Sequence, residues 1–243
     1  MEKYQNTIKI NPVKVTISLL IISLVVILLS FFGQREFQTG NPVSKFFLEM
    51  YKAEFYINKG ENVSTYWNMF LLIIMSALAT AIAVVKQATK AAYRSEWWIL
   101  SVLFLFFAID ELSTIHQRLI KLLIEMPTML DWQNYKWLYV VAGILVIALL
   151  VFLVRFYIHL DNKNKVLFPI SLVLYIFGEY RGLLFGGFYA ELHNPQHPMY
   201  LLITHAEEFI EYTGIILMIY MLFGYFSTHI SEIEFLTQEP EKK

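Results

Sequence analysis

Apolar side chains along the chain gather into six runs, each about as long as a membrane-spanning helix. The runs cover residues 13–32, 66–85, 97–117, 137–156, 166–187 and 206–226, and more polar segments separate them. An α-helix needs about 20 mostly apolar residues to cross roughly 30 Å of hydrocarbon. The pattern therefore predicts an all-α polytopic membrane protein, in which residues 1–243 form a single bundle of six transmembrane helices.

The composition fits a protein that lies in a membrane. Of the 243 residues, 57% are hydrophobic and 16% are charged, whereas soluble domains have about 45–50% apolar and about 25% charged residues. The net charge is -1 and there is no basic stripe, so nothing indicates a nucleic-acid partner. The chain has no cysteine, which excludes disulfides, thiolate metal ligands and a catalytic thiol. The lipid bilayer is the expected partner.

Basic residues indicate the orientation, because Lys and Arg concentrate in cytoplasmic loops. They cluster in the short connections after the second and fourth runs, namely Lys86, Lys90 and Arg94 in one and Arg155, Lys163 and Lys165 in the other. The N-terminal tail is also basic. We therefore expect both termini in the cytoplasm.

Charged residues interrupt three of the runs. The third run carries Asp110, Glu111 and His116, the fifth carries Glu179 and Arg181, and the sixth carries His205, Glu208 and Glu211. A charge inside a bilayer costs at least a few kcal/mol, so ionisable residues there usually have a role. At a rise of about 1.5 Å per residue, Asp110 and Glu179 lie roughly 20 Å from the cytoplasmic side and Glu211 roughly 22 Å. The acids are therefore expected to meet at one level in the outer half of the membrane.

Helical spacing predicts which of these residues share a face. Asp110, Ser113 and His116 are spaced i, i+3 and i+6, so a continuous helix through residue 117 would place them along one flank. Glu111 would point about 100° away from Asp110, and both need not serve the same site.

Two further patterns concern the later runs. Gly178, Gly182 and Gly186 are four residues apart, which predicts a close-packing ridge that brings a neighbouring backbone near Glu179. The segment from Thr204 to Glu207 matches a capping box, which predicts that the sixth helix begins there.

The uncharged first and fourth runs are expected to face lipid. The second run is rich in Ser, Thr and Ala between residues 76 and 83, and small residues let helices approach closely. We therefore expect the second run to pack inside the bundle.

The acids outnumber the charge-balancing Arg181, and acids this close need a cation or a proton. Carboxylates with imidazoles suit zinc, iron or manganese. The predicted metal ligands are His116, Glu179, Glu211 and His205. Asp110, Glu111 and Glu208 are the predicted catalytic residues, since a carboxylate beside a metal can act as general base on a lipid substrate from the outer leaflet.

Two other functions fit the same residues. The acids could pass protons or cations in a coupled transporter or channel subunit, or form a structural network in a membrane scaffold. A transporter should connect the site to both faces, whereas residues 100–108 contain only Ser101 as a polar residue. That asymmetry favours a site open to one side.

The chain resembles a recurring pattern among uncharacterised multi-pass bacterial inner-membrane proteins. The motifs are Asp-Glu-x-x-x-x-His from Asp110, Gly-Glu at Gly178, and Glu-Glu-x-x-Glu-x-x-Gly from Glu207. This resemblance implies no particular activity. Asp110, Ser113 and His116 are also similar to the Ser, His and Asp of the alkaline ceramidase and adiponectin-receptor superfamily of membrane metal hydrolases. That family has seven spans and a His-x-x-x-His on its last helix. The six runs of this chain differ from that pattern, so no residue roles carry over.

Overall fold

The computed structural model describes residues 11–39, 62–116, 118–119, 121–122, 132–179 and 198–229. Within these ranges six long helices follow one another: α1 (Pro12–Thr39), α2 (Val63–Ala88), α3 (Arg94–Ser113), α4 (Trp132–His159), α5 (Asn162–Glu179) and α6 (Pro198–His229). Each helix overlaps one of the six apolar runs. The all-α prediction is therefore confirmed for the described part of the chain.

Four stretches of the described residues are long and apolar enough to cross a membrane. They are Pro12–Phe32, Val63–Ala88, Tyr139–His159 and Met199–Thr228. The other two helices carry more charge, with Glu96, Asp110 and Glu111 in α3 and Lys163, Lys165 and Glu179 in α5. The helix composition thus identifies a membrane protein on the strength of α1, α2, α4 and α6.

Helix α6 lies at the centre of the described bundle. It packs against α5, α1 and α2, and α2 in turn packs along α3. Tyr212, Ile216, Ile219 and Leu222 of α6 are almost completely buried. Because α6 is central, the polar residues in its first half lie in the interior of the bundle.

Small polar side chains join α2 to α3. The hydroxyls of Thr80 and Ser101 lie 2.5 Å apart, and Ser76 donates a hydrogen bond of 2.9 Å to the Ser101 carbonyl. Ala79 and Ala83 are fully buried along the same helix. The prediction that the second run packs inside the bundle is therefore confirmed.

Among the side chains that the structure describes, those in the C-terminal half of α4 make most of its contacts with the bundle. Ile144 and Leu145 are 60% and 64% exposed, whereas Phe156 is fully buried. The Phe156 ring packs against Trp97 of α3 and Phe168 of α5 at centroid distances of 5.0 and 5.2 Å. The exposed apolar surface of α4 fits the expectation that the fourth run faces lipid.

The two basic connections lie at the same end of the bundle. Tyr93, before α3, stacks on His159 at the end of α4 with ring centroids 4.0 Å apart. Lys86 Nζ, near the end of α2, lies 5.4 Å from the centroid of the Tyr225 ring near the end of α6. Glu96, in the first turn of α3, lies at this end and pairs with Arg155 at 3.0 Å. Asp110, Glu208 and Glu211 lie toward the opposite end.

The third helix is shorter than the sequence predicts. It ends at Ser113, and Thr114 adopts the left-handed conformation with φ 51°. The Thr114 N–H donates to the Asp110 carbonyl at 2.7 Å, and the Asp110 carboxylate accepts from the backbone N–H of His116 at 2.9 Å. The prediction of a continuous helix to residue 117 is wrong, because the Asp110 side chain supplies an acceptor to the turn that replaces it.

The sixth helix begins earlier than predicted, at Pro198. Proline suits a helix start because its missing N–H would have no partner within the helix. Thr204 therefore lies inside the helix, where its hydroxyl donates to the Tyr200 carbonyl at 3.0 Å. The capping box predicted from Thr204 to Glu207 is wrong.

Candidate functional site

Asp110 and His116 form a pair beside the break at the end of α3. Nδ1 of His116 lies 2.5 Å from Oδ2 of Asp110, while the other carboxylate oxygen accepts from the His116 backbone. Both contacts depend on the turn at Thr114, which brings position 116 back toward position 110. The side chains are 27% and 10% exposed, so the pair is sheltered but accessible. Ser113 takes no part, since its hydroxyl donates to the Ile109 carbonyl.

The Asp110–His116 pair lines an apolar groove between α3, α4 and α5. The groove has a volume of about 310 Å³, which lies at the lower end of the range of about 300–1,000 Å³ typical of ligand pockets. Its walls are almost entirely leucine, isoleucine, phenylalanine and methionine, with Phe104, Phe107, Leu149, Leu153, Leu172 and Ile176 among them. Asp110, His116 and Tyr175 supply its polar groups.

Glu208 of α6 faces the start of α2. Ser64 Oγ donates to its carboxylate at 3.5 Å and also contacts the Tyr212 hydroxyl. Tyr212 donates a further hydrogen bond of 3.1 Å to the Ser64 carbonyl. All three residues are buried. These polar contacts hold the N-terminal end of α2 against α6.

Glu211, one turn further along α6, contacts two other helices. Asn68 Nδ2 of α2 donates to its carboxylate at 2.5 Å. On the α5 side, a Cβ atom added to Gly178 would lie 2.7 Å from the Glu211 Cα, so the two backbones touch there. This close crossing agrees with the predicted ridge at Gly178 and puts the adjacent Glu179 backbone at the level of Glu211.

The side chains of Asp110 and Glu111 lie in different surroundings. Asp110 lines the groove, whereas Glu111 lies within electrostatic range of the Tyr212 hydroxyl, together with Glu208 and Glu211. The angular separation of neighbouring helical residues explains this divergence.

His205 is fully enclosed, with 2% of its surface exposed. Its Nδ1 contacts the Leu201 carbonyl at 2.7 Å and its Nε2 contacts the Ser30 hydroxyl of α1 at 3.1 Å. The ring also packs edge-on against Phe31. With both ring nitrogens engaged, His205 joins α1 to α6 rather than presenting a nitrogen to a metal.

The predicted metal ligands do not assemble within the described residues. No group of three or more His, Asp or Glu side chains among them could hold a metal ion. His116 pairs with Asp110, and Glu211 contacts Asn68. The Glu179 side chain and the whole of Arg181, Gly182 and Gly186 lie outside the described residues.

Sequence reasoning missed Ser64, Asn68 and Tyr212. Ser64 and Asn68 are four residues apart and so share a face of α2, and Tyr212 stands four residues after Glu208 on α6. The polar spacing on α2 was the available signal. Ser64 and Asn68 lie where the second apolar run begins, and polar residues are common at the ends of membrane spans.

The fold and these buried polar groups define a helical membrane protein with ionisable residues inside its bundle. A model of a domain of unknown function, DUF8692, matches residues 19–225, and the chain belongs to that family. The comparisons with curated proteins and with solved structures find no match. The family match adds no link to the ceramidase and adiponectin-receptor superfamily.

Proposed function

We propose that all six helices cross a bacterial inner membrane, with both termini in the cytoplasm. The support is the shared location of the two basic connections, seen in the contact between Tyr93 and His159. Lys and Arg at that end satisfy the positive-inside rule. The charges of α3 and α5 are compatible with spanning because polar groups inside a membrane bundle are accepted when they face its interior. Asp110 and His116 then lie toward the outer face, and the groove extends from them into the membrane as far as Leu100 and Phe168.

Within that membrane the protein binds a lipid and acts on it with the Asp110–His116 pair. The observation that carries this proposal is the position of the pair on the wall of an otherwise apolar groove. A groove lined by leucine and phenylalanine at membrane depth matches a hydrocarbon chain. The pair would then meet the polar part of the same molecule.

The geometry of the pair suits proton transfer. A carboxylate held at His116 Nδ1 fixes the orientation of the ring and stabilises the imidazolium that forms when Nε2 takes a proton. His116 would therefore act as the general base on a hydroxyl or a water at the polar end of the lipid. Asp110 would hold the ring in place.

The metal prediction has a weaker basis in the described side chains. Asp110 and His116 provide two donors of a kind that zinc, iron or manganese accepts, but no third donor completes the set among the described residues. The reaction is therefore derived from the acid–base pair alone.

Lipid binding can be tested by filling the groove. Leu149 lines it, while the next residue, Leu150, is 56% exposed on another face of α4. We expect Leu149→Trp to reduce co-purified lipid several-fold in native mass spectrometry, and Leu150→Trp to leave it unchanged. Equal lipid occupancy in both variants would contradict the proposal.

The reaction can be tested with the purified protein in liposomes made from a bacterial lipid extract. We expect lipid products to form with the wild type and to disappear in His116→Gln and Asp110→Asn, while both variants keep bound lipid. Proton or cation flux without lipid turnover would instead support the transporter. Loss of folding in both variants, without turnover in the wild type, would support the scaffold.

A further inference from the structure

The amide oxygen of Asn68 is a buried acceptor with no hydrogen-bond partner among the described residues. Asn68 is 1% exposed, and its amide nitrogen is committed to Glu211 at 2.5 Å. A buried acceptor without a partner is destabilising, because it has lost its hydrogen bonds to water. In native proteins such a group usually marks a bound water or ion.

The surroundings of this oxygen are rich in other oxygens. Because Oδ1 and Nδ2 belong to the same amide, Oδ1 lies only a few ångströms from the Glu211 carboxylate. Glu208 is one turn away on the same face of α6, and Ser64 is one turn away on α2. Glu208 and Glu211 are 8% and 3% exposed. The space between α2 and α6 therefore combines two buried carboxyl groups with neutral oxygen donors.

We propose that this layer binds a hard cation, Na⁺ or Ca²⁺, through Asn68 Oδ1 and the carboxylates of Glu208 and Glu211. Ligands that are all oxygen suit hard cations, whereas zinc sites usually include nitrogen or sulfur donors. The positive ion would give the amide oxygen its partner. The ion would also hold α2 against the central helix α6.

This site differs from the lipid groove in its residues and in its helices. The groove is formed around Asp110 and His116, whereas the cation layer joins α2 to α6. The inference does not depend on the proposed reaction. A lipid-binding variant such as Leu149→Trp should keep the cation effect.

The experiment is thermal unfolding of the full-length protein in detergent at constant ionic strength. The midpoint is measured in choline chloride and with added NaCl, CaCl₂ or ZnCl₂. We expect NaCl or CaCl₂ to raise the midpoint by about 5 °C or more at concentrations near 100 times the dissociation constant. The difference between the NaCl and CaCl₂ series identifies the ion.

Asn68→Leu removes the amide oxygen and should abolish the cation-dependent shift. Asn68→Asp restores an oxygen at that position and should keep it. Ser76→Ala, on the same helix but facing α3, is the matched control and should also keep it. A shift of the same size in Asn68→Leu, a shift with zinc alone, or no shift with either Na⁺ or Ca²⁺ would overturn the proposal. In the last case Glu211 is protonated, and its hydroxyl donates to the Asn68 amide oxygen in place of the cation.

Discussion

Gly178 of α5 lies directly against the backbone of Glu211 in α6. A Cβ at position 178 would come within 2.8 Å of the Glu211 nitrogen and 2.7 Å of its Cα. One helical turn further along α6, Gly214 makes the complementary contact with the Ser171 carbonyl and the Tyr175 nitrogen of α5. Two glycines, one from each helix, thus set the crossing that places Glu211 in the interior.

Gly178→Ala should destabilise the protein, because the added methyl group would overlap the Glu211 backbone. Overpacking of this kind costs about 1–3 kcal/mol, which exceeds the gain of about 0.5–1 kcal/mol that alanine brings to a helix. Gly143→Ala is the control, since nothing lies within 4 Å of a Cβ at that position. Unfolding midpoints in detergent should fall for the first variant and stay level or rise for the second. Equal midpoints would show that α5 and α6 do not approach this closely.

Thr114→Gly should stabilise the protein. An L-residue in the left-handed region costs about 1–2 kcal/mol, and glycine removes that cost. Glycine loses more backbone entropy on folding, which costs about 0.5–1 kcal/mol and is the smaller effect. Thr89, which follows α2 with φ -82°, provides the matched control, and Thr89→Gly should destabilise instead. Unfolding midpoints measure both. A loss of stability in Thr114→Gly comparable to that in Thr89→Gly would mean that α3 continues through residue 114.

Ser30→Ala and His205→Ala should be coupled, because the His205 ring and the Ser30 hydroxyl join α1 to α6. Hydrogen bonds between membrane helices are worth about 0.6 kcal/mol on average and up to about 1.7 kcal/mol. A double-mutant cycle on unfolding free energies should give a coupling in that range. Thr16→Ala removes a hydroxyl that bonds within α1, so it should show no coupling with His205→Ala. Bound metal that disappears in His205→Ala would restore its predicted role as a ligand.

Ser101→Ala should loosen the contact between α2 and α3. Its hydroxyl lies 2.5 Å from Thr80 Oγ1, so a cycle with Thr80→Ala should show a coupling of about 0.6 kcal/mol. Ser227, whose hydroxyl bonds to the Gly224 carbonyl of its own helix, serves as the control. Unfolding free energies should be unchanged in Ser227→Ala. Strict additivity of the Ser101 and Thr80 substitutions would contradict the contact.

The positions of the helices could be predicted because apolar run length and helical rise are local properties. Those two quantities also explain why Glu211 and Glu179 were expected at similar depths. The early start of α6 was missed because the polar segment from His205 to Glu208 separates the apolar residues after Pro198 from the longer apolar run that follows. The turn at Thr114 could not be predicted either, since threonine does not normally favour a left-handed conformation.

The partners of the acids could not be predicted from spacing alone. Whether Asn68 faces Glu211 depends on how α2 rotates against α6, and that rotation follows from side-chain packing along the whole contact. The pairing of His116 with Asp110 was anticipated as a shared helix face. It arises instead from a break in the helix, so the same two residues meet for a different physical reason.

The attachment of α4 has a consequence for the size of molecule that the groove accepts. Leu149 and Leu153 form one wall, yet the helix is anchored chiefly near Phe156. Under the proposed lipid binding, a small change in the tilt of α4 about Phe156 would widen or narrow the opening, while the glycine crossing of α5 and α6 stays intact. The groove would then accept hydrocarbon chains of unequal thickness without any rearrangement of the polar interior.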